Sequence, residues 1–73
     1  MAVRVRDLVR ALPAFGVEVV PPSKGSHWKA KKAGCRTYVI PCHNGDRTEV
    51  DDNYLRGLCR CLNLDLAELR TRL

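Results

Sequence analysis

Two histidines, His27 and His43, are the side chains of this 73-residue sequence best suited to moving a proton near neutral pH. An imidazole that gives and takes protons in that range is what general acid–base chemistry needs. His27 stands among cations. From Lys24 to Arg36 the chain carries five basic residues and no acidic one. Lysines hold phosphate and offset the negative charge that builds in a transition state. A histidine flanked by lysines is therefore a workable site for phosphodiester chemistry. In RNA the 2′-hydroxyl is an internal nucleophile, so such a site need only move protons and steady charge. No cluster of carboxylates suited to Mg²⁺ stands out in the sequence.

These residues must be positioned by short elements. Val5, Leu8, Val9 and Leu12 recur at helical spacing, while Arg4, Arg6, Asp7 and Arg10 fall elsewhere. Pro13 cannot donate within a helix and disfavours helical backbone at Leu12, so the helix should end or distort there, with Gly16 closing the turn. Val17 to Val20 is β-branched and suits a strand, which Pro21-Pro22 ends and stiffens. Ser23-Lys24-Gly25 reads as a turn. The chain should then run extended from Ser26 to Ala33, turn at Ala33-Gly34, and return as a strand from Arg36 to Ile40. Pro41 ends that strand, and His43-Asn44-Gly45-Asp46 is a loop by its turn residues.

Asp51 or Asp52 can cap a second helix with an apolar stripe of Leu55, Leu58, Cys59 and Leu62. Asn63-Leu64 breaks it. Asp65 can cap a short tail helix with Leu66, Leu69 and Leu73 on one side. The expected class is α+β, in the order α-β-β-β-α. The expected architecture is a single domain over residues 1–73, with a three-stranded antiparallel sheet and helices on one face. Strand alternation puts His27, Lys29 and Lys31 on the free face, and Trp28 and Ala30 on the face under the helices.

Composition bounds the rest. A chain this short buries only about 60% of its unfolded surface, so an active site should be shallow. Hydrophobic residues at 45% and charged residues at 29% give a globular rather than disordered balance. The net charge of +5 favours a polyanionic partner. The N-terminal stretch lacks the apolar run of a signal peptide, and no segment approaches the ~20 apolar residues of a membrane span. A cytoplasmic protein with reduced cysteines is expected. Cys35, Cys42, Cys59 and Cys61, with His43, invite a zinc reading, but the spacing argues against metal. The first pair is seven apart, and Cys59 and Cys61 would point to different sides of a helix. Buried thiols acting as small apolar residues are the expectation.

Lys24-Gly25-Ser26-His27 begins a recognisable pattern. The sequence resembles the HicA toxins of prokaryotic toxin–antitoxin systems, small mRNA interferases with a double-stranded-RNA-binding-like fold. Leu12, Gly16-Val17, Gly25-Ser26-His27, Pro41-Cys42-His43 and Leu55-x-x-Leu58 follow the family's pattern in order, from about Arg6 to Leu69. The resemblance implies that His27 is the catalytic histidine of a metal-independent endoribonuclease cleaving mRNA, with no cofactor. It implies a HicB-like antitoxin as protein partner and no membrane. Gly25 and Ser26 would shape the turn before His27. Lys24, Lys29, Lys31, Lys32 and His43 are the remaining candidate RNA contacts. His43 could instead be a second proton donor or a residue pinning its loop. Pro13, Pro21-Pro22 and the four cysteines depart from the family pattern; Cys42 could make the site sensitive to oxidation. The alternative is a non-catalytic module whose basic face binds double-stranded RNA by shape. A third reading is an interaction protein whose basic face meets an acidic partner.

Overall fold

The computed structural model describes residues 2–25, 27–42 and 47–73. Helix α1, Val5–Ala11, follows directly on a two-residue strand, β1 (Val3–Arg4). At Leu12 the backbone tightens into a single 3-10 turn, Leu12–Phe15, with Pro13 in its first positions and Gly16 closing it at φ 78°. Pro13 thus changes the helix type rather than stopping the chain, since a proline near a helix start has no donor to lose. Val5, Leu8, Ala11 and Leu12 are buried, the face that the spacing marked.

Three strands follow: β2 (Glu18–Val20), β3 (His27–Lys31) and β4 (Tyr38–Pro41). They form an antiparallel sheet in the order β2-β3-β4. Val17 was expected in the first strand but lies just before it, buried. Arg36 and Thr37 were expected in the third but precede it. The turn between β3 and β4 uses Gly34 at φ 79°, and the Cys35 N–H donates to the Lys32 carbonyl at 3.0 Å.

Helix α2, Asp52–Leu62, is capped by Asp51, whose carboxylate accepts from the Tyr54 N–H at 2.8 Å. It ends at Asn63 in the left-handed region, φ 55°, a conformation Asn tolerates better than most residues. Helix α3, Leu66–Thr71, is capped by Asp65, which accepts from the Ala67 and Glu68 N–H groups. The order α-β-β-β-α with a helical tail is therefore observed.

One pairing was not expected. Val3 and Arg4 of β1 pair antiparallel with Val50 and Glu49 of β5, Glu49–Val50. The Val5 N–H also donates to the Thr48 carbonyl at 2.8 Å, satisfying a donor at the start of α1. This ribbon ties the N-terminus to the entry of α2.

The core lies between the helices and one face of the sheet. Leu8, Leu12, Ala30, Ile40, Leu55, Leu58, Leu62 and Leu69 are fully buried in it. Trp28, Tyr38 and Tyr54 pack against its edge. Each buried leucine contributes roughly 1.5–3 kcal/mol of burial. Gly57 is where α2 comes close to the sheet: a Cβ there would sit 2.6 Å from the Tyr38 hydroxyl. Of the cysteines, only Cys59 is buried; Cys35, Cys42 and Cys61 are half-buried, so the expectation of buried thiols holds for one. Burial pushes the Cys59 thiol pKa up, with Asp65 adding to the shift. Among the described residues, no helix is long and apolar enough to cross a membrane.

Candidate functional site at the open face of the sheet

Alternation along β3 does what the pattern required. His27, Lys29 and Lys31 are exposed, whereas Trp28 is half-buried and Ala30 buried. The free face of the sheet therefore presents an imidazole and two ammonium groups from one strand. Pairing then supplies their neighbours. His27 lies opposite Pro41 and Lys29 opposite Val39 on β4. Lys29 also faces Val20, and Lys31 faces Glu18, across β2.

The last pair separates the two lysines chemically. Directly opposed side chains in an antiparallel pair sit about 4.5–5.5 Å apart at Cβ. Lys31 therefore has a carboxylate-bearing residue as its cross-strand neighbour. Lys29 has apolar neighbours, Val20 and Val39, on both sides. The stretch from Lys24 to Arg36 holds no acid, but strand pairing brings one to it from outside.

The connection from Val20 to His27 closes a shallow cleft of about 130 Å³ beside the imidazole. Val20, Pro21, Pro22, Ser23, Lys24, His27 and Lys29 line it. Gly25 turns this connection at φ 92°, a backbone that side-chain-bearing residues rarely adopt, and so brings Lys24 back beside β3. Two lysines thus converge on the cleft that His27 borders, and among the described residues no carboxylate lines it.

The geometry sorts the expected site residues. His27, Lys24 and Lys29 share the cleft, and Gly25 forms its turn. Lys31 is on the same face but beside Glu18. Lys32 is elsewhere: its Nζ donates to the Leu62 carbonyl at 3.0 Å and the Asn63 carbonyl at 3.4 Å, at the C-terminal end of α2. A cation there meets the negative end of the helix dipole. Ser26 and His43 lie outside the described residues. The cleft wall of Val20, Pro21, Pro22 and Ser23 was not foreseen as part of a site. Its signal was available, because a short connection between antiparallel neighbours must pass beside the first residue of the second strand.

The sheet that carries His27 is held from behind and from its edge. The Tyr54 hydroxyl on α2 donates to the Val39 carbonyl at 2.6 Å, fixing β4 to the helix. Tyr38 and Tyr54 meet edge-on, with ring centroids 5.4 Å apart. Burial, with Tyr38 adding, raises the Tyr54 phenol well above the ordinary tyrosine range, so it stays a donor. A larger groove of about 380 Å³, lined by Asp7, Arg10, Ala11, Ala14, Arg72 and Leu73, lies between α1 and the end of the chain. Its described lining mixes an acid with two arginines and includes no histidine.

Comparison with protein-family models, curated proteins and solved structures gives no match to this chain.

Proposed function

We propose that the protein is a metal-independent endoribonuclease that cleaves mRNA at the His27 cleft, acting in the cytoplasm as the toxin of a toxin–antitoxin pair. The observation that carries this reading is the convergence of His27, Lys24 and Lys29 on one small cleft, on the open face of the sheet, with no carboxylate among its described lining residues. The HicA-like order of motifs supports it.

In the proposed step the scissile phosphate sits between the two ammonium groups. His27 takes the proton of the 2′-hydroxyl as that oxygen attacks phosphorus. The bond from phosphorus to the 5′-oxygen breaks, leaving a 2′,3′-cyclic phosphate and a 5′-hydroxyl. The leaving oxygen takes a proton from water or from the protonated imidazole. Lys24 and Lys29 stabilise the charge on the non-bridging oxygens. A HicB-like antitoxin would inhibit by covering the same face. Lys31 serves as a more distant phosphate contact.

The test is cleavage of a single-stranded RNA by the purified protein in EDTA, beside His27→Ala and Lys29→Ala. Loss of an acid–base group should cost on the order of 10²–10⁴-fold in rate, with a smaller loss for Lys29→Ala. Equal cleavage by wild type and His27→Ala would remove His27 from the mechanism. Cleavage abolished by EDTA would remove the metal-free step. Salt-sensitive binding of duplex RNA without cleavage would favour the RNA-binding module instead.

A further inference from the structure

The cleft has two unlike walls. One carries charge: Lys24, Lys29 and His27. The other is Val20, Pro21 and Pro22. Prolines have no backbone N–H and a fixed φ, so their part of the wall offers no donor and changes shape little. It is apolar, semi-rigid and part of the same small cleft as the cations. A ligand that fits both walls must have an anionic edge and an apolar face on the same small unit. A nucleotide has that form, with its phosphate on one side and its sugar and base on the other.

Size narrows the choice. Pockets for drug-sized ligands run from about 300 to 1,000 Å³, and this cleft is about 130 Å³. That is closer to the size of one sugar–phosphate unit than to that of a base pair. We propose that Pro21-Pro22 is a specificity wall that makes the His27 cleft a pocket for a single unpaired nucleotide, with the sugar and base face against the prolines and the phosphate between Lys24 and Lys29. This deepens the ribonuclease reading and rests on it. The prolines are specificity residues and take no part in proton transfer.

The experiment is an amide-shift titration of the ¹⁵N-labelled full chain with three probes. They are a dinucleoside monophosphate lacking the attacking 2′-hydroxyl, inorganic phosphate, and a short RNA duplex. Wild type, Pro21→Ala/Pro22→Ala and Lys29→Ala are compared, with circular dichroism checking the fold of each. Pro21 is exposed and Pro22 half-buried, outside the fully buried core.

The dinucleotide should shift the amides of Val20, Ser23, Lys24, His27 and Lys29. The double proline variant should bind it about fivefold more weakly, the lower end of what a stacked base loses when its side-chain platform is truncated to alanine. Phosphate binding should stay within twofold in that variant and weaken in Lys29→Ala. Equal weakening of dinucleotide and phosphate by the proline variant would overturn the wall's role, as would no weakening of either. A duplex that shifts the same amides as tightly as the dinucleotide would overturn the single-nucleotide limit. Selective dinucleotide binding in a protein that cleaves no RNA would sink the ribonuclease reading alone. Cleavage indifferent to the proline variant would sink the wall alone.

Discussion

Replacing Lys32 by alanine should destabilise the protein and leave the proposed action on RNA intact. In sequence Lys32 belongs to the same basic run as Lys29 and Lys31. In the fold its ammonium donates to the carbonyls of Leu62 and Asn63, two of the acceptors that the end of α2 leaves without helical partners. A hydrogen bond from a charged donor is worth about 1.5–3 kcal/mol. A cation at a helix C-terminus adds roughly 0.3–1 kcal/mol, partly the same interaction counted again. Ordering a long lysine side chain costs up to about 2 kcal/mol. The net loss on truncation is about 1 kcal/mol, which for a chain of this size lowers Tm by roughly 4–8 °C. Lys32→Met should lose as much, because it keeps the stem and removes the ammonium. Denaturant unfolding should show a lower midpoint at unchanged slope. Cleavage and RNA affinity, measured well below Tm, should stay within twofold of wild type. An alanine variant of wild-type stability that loses cleavage as Lys29→Ala does would refute the assignment and return Lys32 to the proposed RNA-binding face.

Tyr54→Phe should cost about 1 kcal/mol, since it leaves the Val39 carbonyl without its hydroxyl donor. The folded-state phenol pKa lies above its unfolded value. Its stabilising effect is therefore complete below the ordinary tyrosine range and lost as pH rises through the folded value. Absorbance at alkaline pH should show one of the two tyrosines ionising only as the protein unfolds; both ionising together in the folded state would contradict this. Asp52 accepts from Arg70 at 2.9 Å, and that contact holds its carboxyl below the ordinary range. The contribution is present at neutral pH and lost as pH falls through the lowered value. Arg70→Met should move the Asp52 titration upward by NMR, and an unmoved curve would contradict the pairing.

The sequence carried the local features well because local chemistry decides them. Asp51 and Asp65 cap helices where a short carboxylate precedes an apolar stripe. Leu55, Leu58, Cys59 and Leu62 are buried because they share one helical face. The face of His27, Lys29 and Lys31 follows from the two-residue period of a strand. The β1–β5 ribbon was invisible for the opposite reason. Two-residue strands have no period to detect, and Val3 and Val50 lie far apart in sequence.

The candidate site divides along the same line. The basic run from Lys24 to Arg36 looks uniform in one dimension, and strand pairing gives each lysine a different electrostatic setting. Lys29 lies between Val20 and Val39, Lys31 faces Glu18, and Lys32 ends on a helix terminus. A cation with apolar neighbours and a histidine in the same cleft is placed to hold a phosphate. A cation opposite a carboxylate must share its field, and one bonded to helix carbonyls has already spent its donors on the fold. Pro21-Pro22, a departure from the HicA pattern that the sequence resembles, lines that cleft because it lies in the connection that leaves β2 for its neighbour β3. The chemistry proposed here therefore rests less on the number of basic residues than on which of them the sheet leaves unpaired beside His27.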